Sequence, residues 1–270
     1  MNNPLHVVIL AAGAGTRMRS NKLKVLHQVA GLAMVDHVLH LAQSLNPSQI
    51  TVVYGHQGEQ LKQHLSPPKV NWAEQKEQLG TGHAVQQAVY FFKDEEQVLV
   101  LYGDAPLVQH DDIASIKSSQ FVLTAKVDNP TGYGRIIRNG IHVDAIVEEK
   151  DANEAEKQVN EINSGIIQAP AKDLKLWLSQ LSNDNQQSEY YLTDVIALAA
   201  AGGQPFEAAV LADANAVKGA NDMVQLAELD ALFQQRIRTQ LMQQGVRLHN
   251  PESIDIRGHL TCGRDVEIDK

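Results

Sequence analysis

Glycines and cations near the N-terminus form a pattern that could hold a phosphate group. Residues 10–18 read LAAGAGTRM and come directly after an apolar run, which is typical of a strand that leads into a turn. In such a turn, Gly13 and Gly15 would let backbone N–H groups approach an anion without interference from a Cβ atom. Arg17 and Lys24 add a planar fork and a mobile point charge. The segment therefore predicts a phosphate site.

Two standard glycine-rich motifs do not fit this segment. A dinucleotide fingerprint requires a third glycine where Met18 stands, and an acidic residue at the end of the next strand, which here ends in Gly55. The P-loop requires Gly-Lys-Ser/Thr after four intervening residues, and that sequence is missing from the turn. For the two glycines alone, a turn that merely connects a strand to a helix remains an alternative.

Strand and helix patterns alternate along the first half of the chain. Strand-like segments cover residues 6–10, 50–54, 70–73, 98–101 and 121–127, and helical periodicity covers residues 34–45 and 82–92. This alternation predicts an α/β fold with a mostly parallel sheet covered on both faces. Ligands of such sheets bind outside the carboxyl ends of the strands, where both the glycine turn and Asp104 are expected.

Later segments predict additions to this sheet. Residues 133–148 read as a hairpin that turns at Asn139–Gly140, which indicates a β insertion. Residues 221–243 predict a long amphipathic helix that stops before Gly245. Its apolar positions are Val224, Leu229, Leu232, Phe233, Ile237 and Leu241.

The last residues show a period of six. Two apolar rows have this spacing, Ile254, Leu260 and Val266 in one and Ile256, Cys262 and Ile268 in the other. A hexapeptide period is typical of a parallel β-helix, and Cys262 is expected to be a small buried side chain in it. We therefore expect a main domain over residues 1–220, a linking helix over 221–245, and the start of a solenoid over 246–270.

Composition narrows the class of ligand. The chain has 270 residues, 20% of them charged, and a formal net charge of −9. These values argue against an extended basic surface for nucleic acid and favour a small substrate. Residues 1–4 lack the features of a secretory leader, and no apolar run approaches the ~18 residues of a membrane span. A cytoplasmic protein without membrane contact is expected.

The glycine-rich segment, with the KVL sequence at residues 24–26, resembles the signature of sugar-1-phosphate nucleotidyltransferases. Further motifs of that family occur in the family's order: EQKEQLGTGHA at residues 74–84, LYGDAPL at 101–107, PTGYGRI at 130–136, VEEKD at 147–151, EINSG at 161–165 and EYYLTD at 189–194. The resemblance covers essentially the whole chain. It is greatest to the bacterial members that make UDP-N-acetylglucosamine for peptidoglycan and lipopolysaccharide.

The resemblance implies a Rossmann-like fold, a reaction and a set of site residues. UMP would pass from UTP to N-acetylglucosamine 1-phosphate, with release of pyrophosphate and Mg²⁺ as cofactor. Arg17 and Lys24 would be catalytic, and Asp104 and Asn221 would hold the metal. Nucleotide contacts would come from Leu10, Ala11, Ala12, Gly13, Gln75, Gly80, Thr81 and Tyr102. Sugar contacts would come from Gly134, Glu148, Asn163, Tyr191 and Thr193.

Several of these residues have ordinary structural explanations. Asn221 precedes an apolar periodic run, so it could be a helix N-cap, and Asp222 could take either role. Asp104 alone would more often cap a helix, and Glu148 lies in a segment that also fits an exposed charged turn. Gln75 offers an acceptor and donors that suit uracil, or could be a solvated residue at a strand end. His27 and His83 are expected to be structural.

The chain departs from the family pattern at two positions. Leu23 replaces a common proline before Lys24, so the backbone is not fixed in advance there. Ala14 replaces a frequent lysine, which removes one phosphate contact. Two alternative functions remain. The chain could act on another nucleotide or another sugar phosphate, or it could bind a nucleotide sugar without turnover. The second predicts loss of a cation or a metal ligand, and these residues are all present.

The resemblance also has implications for the C-terminal region. Members of the UDP-N-acetylglucosamine branch continue into a left-handed β-helix that carries acetyltransferase activity and forms a homotrimer. We therefore expect a truncated chain that contains only the start of that β-helix and lacks the acetyltransferase activity. The sequence leaves its own oligomeric state open, with a monomer as one expectation.

Overall fold

The computed structural model describes residues 3–65 and 70–269. Residues 1 and 2, which belong to the segment without leader features, and residue 270, the end of the expected solenoid segment, lie outside this part. No described helix is both long and apolar enough to cross a membrane. The strands are β1 (Leu5–Ala11), β2 (Gln28–Val29), β3 (Leu32–Ala33), β4 (Gln49–Tyr54), β5 (Asn71–Glu74), β6 (Gln97–Tyr102), β7 (Phe121–Lys126), β8 (Arg135–Asn139), β9 (His142–Val147), β10 (Glu161–Pro170), β11 (Phe206–Val210), β12 (Arg247–Leu248) and β13 (Glu267–Ile268). The helices are α1 (Met34–Ser44), α2 (Gly58–His64), α3 (Thr81–Ala88), α4 (His110–Ala114), α5 (Glu154–Lys157), α6 (Ala171–Leu178), α7 (Asp194–Ala201) and α8 (Met223–Gln243).

Nine strands form one sheet in the order β5-β4-β1-β6-β10-β7-β11-β9-β8. The first four are parallel, as expected from the alternation of strands and helices. The central strand β1 is apolar at nearly every position because both of its faces are covered. Val7 and Ile9 pack with α1 on one face, and Val8 and Leu10 pack with α3, α6 and α7 on the other.

The other half of the sheet corrects the expectation of a mostly parallel fold. Strand β10 runs antiparallel to both β6 and β7, and β9 runs antiparallel to β11 and β8. The predicted hairpin is confirmed as β8 and β9, with Gly140 at φ +65° in its turn. It extends the main sheet because β11 and β10 pair with it.

Helix α8 lies over the main domain and is less buried than its pattern suggested. Leu229 and Leu241 are buried, but Val224 at its first turn is 69% exposed. After α8, β12 pairs in parallel with β13, and the two apolar rows pack with Leu241 and Val246 except at Leu260, which is 40% exposed. Cys262 is half-buried in this cluster, so the expectation of a buried side chain is only partly met. The start of a left-handed β-helix stays a prediction.

Candidate functional site

The carboxyl ends of the parallel strands open into a cleft of about 300 Å³. All the residues expected to contact the nucleotide line it, together with Lys24 and Asp104; the remaining lining residues are Val25, Gln78, Ala84 and Glu189. β1 supplies the glycine turn, β5 leads into Gln75, and β6 ends at Tyr102 just before Asp104. The cleft therefore lies where open α/β sheets bind their ligands.

The glycine turn packs directly on Lys24. A Cβ atom on Gly15, whose φ is +60°, would lie 2.7 Å from Cβ of Lys24, so a larger residue would push the two apart. Leu23 has φ −55°, which is within the range that proline would fix. The backbone before Lys24 thus has a φ angle that proline could adopt, although the residue there is leucine.

Lys24 joins the two residues expected to hold a metal. Its Nζ donates to Oδ2 of Asp104 at 2.5 Å and to Oδ1 of Asn221 at 3.2 Å. The Lys24 and Asp104 side chains are only 15% and 17% exposed, so this ion pair is poorly screened. A carboxylate and a carboxamide oxygen that meet at one ammonium could also hold one small hard cation.

The neighbouring Asp222 explains why Asn221 is available for this contact. The Asp222 carboxylate accepts a hydrogen bond from the backbone N–H of Gln225 at 2.8 Å and is the N-cap of α8. Within residues 3–65 and 70–269, no group of three or more His, Cys, Asp or Glu side chains could hold a metal. A metal here would therefore complete its shell with water or substrate oxygens.

Gln75 is 3% exposed and its amide is held from within the protein. Its Nε2 lies 3.0 Å from the carbonyl oxygen of Gly80 and 3.1 Å from Nδ1 of His83. Two acceptors for two N–H hydrogens leave only Oε1 for a ligand. This differs from the expectation that the carboxamide offers both an acceptor and donors to the base.

Tyr102 separates the nucleotide cleft from the residues expected to bind the sugar. Its ring lies against Gly165, at φ +84° in the bulge of β10, where a Cβ atom would be 2.4 Å from Cε2 of the ring. Burial, with the carboxylates of Glu148 and Asp104 nearby, raises the pKa of Tyr102. The phenol is therefore neutral and remains a hydrogen-bond donor at physiological pH.

Four of the expected sugar-binding residues lie together on the hairpin side of Tyr102. A Cβ atom on Gly134 would lie 3.4 Å from Oε2 of Glu148 and 3.5 Å from Cβ of Asn163. Thr193 donates to Oε1 of Glu148 at 3.0 Å. Burial raises the pKa of Glu148, and the hydrogen bond from Thr193 opposes that effect. Glu148 is thus a largely enclosed acceptor and not part of an exposed turn.

The hydroxyl of Tyr191 points to other partners. It donates to Oδ2 of Asp151 at 3.2 Å and accepts from Nε2 of Gln187 at 2.9 Å. Arg17 is exposed beside the glycine turn, does not line the cleft, and makes no hydrogen bond or ion pair with a described residue. Tyr191 and Arg17 therefore take no part in the Lys24–Asp104–Asn221 contacts or in the hydrogen bond between Thr193 and Glu148.

Two polar residues of the cleft were not predicted from the sequence. Nε2 of Gln78 donates to the carbonyl oxygen of Ala12 at 2.6 Å, which ties the glycine turn to the loop after β5. Glu189 also lines the cleft, and its Cβ would lie 3.0 Å from a Cβ atom added to Gly80. Both belong to the family motifs, but neither residue type by itself predicts a ligand contact.

Known proteins are similar to this chain in sequence and in fold. Residues 7–128 match the family model of the MobA-like NTP transferase domain. The bifunctional protein GlmU of Idiomarina loihiensis is 51% identical over 271 residues, which cover 98% of this chain and 59% of that relative. The chain thus spans less than two thirds of that relative's length.

Two solved structures have the same fold at low sequence identity. A UDP-glucose pyrophosphorylase in complex with UDP-glucose superposes with a TM-score of 0.69 at 16% identity, covering 87% of this chain and 100% of that one. The inositol-1-phosphate CTP transferase of T. maritima gives 0.63 at 16% identity, covering 84% and 94%. The Rossmann-like nucleotidyltransferase fold expected from the motifs is confirmed by these two structures.

Proposed function

We propose that this chain transfers UMP from UTP to N-acetylglucosamine 1-phosphate and so forms UDP-N-acetylglucosamine and pyrophosphate. One observation carries the proposal: the glycine turn, the Lys24–Asp104–Asn221 group and Gln75 meet in or beside one cleft at the carboxyl ends of the parallel strands. The 51% sequence identity to the bifunctional protein GlmU of Idiomarina loihiensis supports the choice of a uridylyl reaction.

The reaction requires little from protein side chains beyond position and charge. The attacking phosphate oxygen is already anionic near neutral pH, so no general base is needed. The nucleophile would attack the α-phosphorus in line, and the bond to the pyrophosphate leaving group would break. Lys24 would neutralise charge on the α-phosphate and the leaving group, and the N–H groups of the glycine turn would orient the phosphates. Arg17 belongs to this proposal as a second cation through its family motif alone, since it does not line the cleft.

The chain's own oxygens fit a magnesium ion. Asp104 and Asn221 would hold it, since both already accept from one cation, the ammonium of Lys24. Bound there, Mg²⁺ would supply neutralisation of charge on the phosphates. The carboxylate contributes a single negative charge, which suits an ion that keeps water and phosphate oxygens in its shell.

The sugar would lie beyond Tyr102. Glu148 would accept a hydrogen bond from a sugar hydroxyl, with its carboxylate oriented by Thr193. Gly134 packs closely beside Glu148 and Asn163, where an added Cβ atom would already be crowded. Such buried polar groups reject sugars that lack the bonded hydroxyl, because the acceptor would then be left unpaired. Tyr191 belongs to this proposal through its family motif alone.

A pyrophosphate-release assay with UTP, N-acetylglucosamine 1-phosphate and Mg²⁺ tests the function. In parallel reactions, CTP, ATP or dTTP replaces UTP, and glucose 1-phosphate replaces N-acetylglucosamine 1-phosphate. We expect turnover with the first pair, and a loss of at least about 100-fold in Lys24→Met and Asp104→Ala. The control is Asp111→Ala, since that side chain is 97% exposed, lies outside the family motifs and does not line the cleft. No turnover with any pair in folded protein would contradict the proposal.

The remaining family properties stay part of the same proposal. They are the roles in peptidoglycan and lipopolysaccharide synthesis, the cytoplasmic location, and the homotrimer of forms that carry the complete β-helix. Acetyl transfer is assigned to none of the residues described here. The oligomeric state of the isolated chain stays open, with a monomer as one expectation.

A further inference from the structure

His83 lies against the buried amide of Gln75, the residue of the cleft that is expected from its family motif to contact the nucleotide and whose amide suits uracil. Its Nδ1 is 3.1 Å from Nε2 of Gln75, and its ring is half-buried beside Tyr190. From the sequence, His83 is expected to have only a structural role. The orientation of the Gln75 amide suggests a more specific one.

The carbonyl group of Gly80 fixes the orientation of the Gln75 side-chain amide. That oxygen accepts hydrogen bonds from Nε2 of Gln75 at 3.0 Å and from the backbone N–H of Ala84 at 3.1 Å. A carbonyl oxygen can only accept, so the NH₂ end of Gln75 must face it. The imidazole must then be the Nε2–H tautomer, which accepts at Nδ1.

The amide oxygen is thereby left for a ligand. Oε1 of Gln75 accepts no hydrogen bond from any described residue, although the side chain is 3% exposed and lines the cleft. The backbone N–H of Gly80, in the same cleft, likewise donates to none of the described residues. One acceptor and one donor complement the N3–H and O4 edge of uracil. Cytosine reverses both groups, with a lone pair at N3 and an amino group at C4.

We propose that His83 is a positioning residue that keeps the oxygen of Gln75 directed at the base and so makes the cleft select uracil over cytosine. The inference rests on the proposed function, because it deepens the base choice of that site. Without an acceptor at position 83, only the hydrogen bond to Gly80 opposes rotation of the amide. A rotated amide would present its NH₂ group, which suits the N3 lone pair of cytosine.

Matched variants separate positioning from a packing role. His83→Leu removes the acceptor at similar size, whereas His83→Asn places a carbonyl oxygen close to the position of Nδ1. Calorimetric titration of UTP and CTP with Mg²⁺ gives a dissociation constant for each protein without requiring turnover. We expect the preference for UTP to fall about tenfold in the Leu variant, the effect of one buried hydrogen bond, and to be retained in the Asn variant.

Each outcome has a separate meaning. If the Leu variant weakens both nucleotides equally and keeps the wild-type preference, the positioning role is overturned and the proposed function is unaffected. If the wild-type protein itself shows no preference for UTP, the uridylyl proposal fails and the inference fails with it. If the Leu variant does not fold, ¹⁵N NMR of the wild-type imidazole decides. The Nε2–H tautomer of His83 is expected, and a proton on Nδ1 would overturn the inference.

Discussion

The substitution Gly165→Ala tests how the bulge of β10 positions Tyr102. Gly165 has φ +84°, and an added Cβ atom would lie 2.4 Å from Cε2 and 2.7 Å from Cζ of the Tyr102 ring. The left-handed backbone costs an alanine about 1–2 kcal/mol. Overpacking against a fixed ring costs about 1–3 kcal/mol more. We therefore expect the free energy of unfolding to fall by about 2–5 kcal/mol.

Gly203→Ala is the matched control for the backbone contribution. Gly203 has φ +77°, and no atom lies within 4 Å of its added Cβ position. Urea unfolding of both variants should give a loss of about 1–2 kcal/mol for Gly203→Ala. The additional loss in Gly165→Ala measures the clash with Tyr102, and only that variant should bind UTP more weakly. Equal losses of stability, with unchanged UTP affinity, would refute this explanation of the bulge.

Three further substitutions test other parts of the structure. Burial lowers the pKa of His6 below 6.5, so the unfolded state binds more protons and the His6 contribution to stability is lost as pH falls from 6.5. In urea unfolding from pH 5 to 8, the free energy of unfolding should therefore depend less on pH in His6→Gln than in wild type, and equal slopes would refute this. Glu148→Gln should raise KM for the sugar phosphate about tenfold and leave KM for UTP unchanged, whereas a rise in both would remove Glu148 from the sugar pocket. Asp222→Ala should lower the free energy of unfolding by about 1 kcal/mol through loss of the α8 N-cap, and Asp222→Asn, which can still cap, should not; equal losses would contradict the capping role.

The parallel strands and the β8–β9 hairpin could be predicted because their signals are local. β1 is a continuous apolar run, and Asn139–Gly140 marks a two-strand hairpin. Strand β10 was not predicted, although it is ten residues long. Its sequence mixes polar Glu161, Asn163 and Ser164 with a glycine bulge, so it shows no alternation of polar and apolar residues. The antiparallel pairings of β10 with β6 and β7, together with those of β9, make the sheet mixed.

The candidate site likewise has features that the sequence predicts and features that it does not. The glycine turn and its cations are predictable from residue types within one segment. The meeting of Lys24 with Asn221 could not be derived from spacing, because 197 positions separate them. The choice between Asn221 and Asp222 depended on which side chain caps α8. The direction of the Gln75 amide depended on Gly80, whose carbonyl position is set by the start of α3.

The most direct test of the proposed function is ³¹P NMR of the wild-type protein with UTP, N-acetylglucosamine 1-phosphate and Mg²⁺. We expect the diphosphate signals of UDP-N-acetylglucosamine and the signal of pyrophosphate to grow in equal amounts, and only when both substrates are present. A folded protein that leaves both substrates unchanged, or that releases UMP without the nucleotide sugar, would contradict the uridylyl reaction.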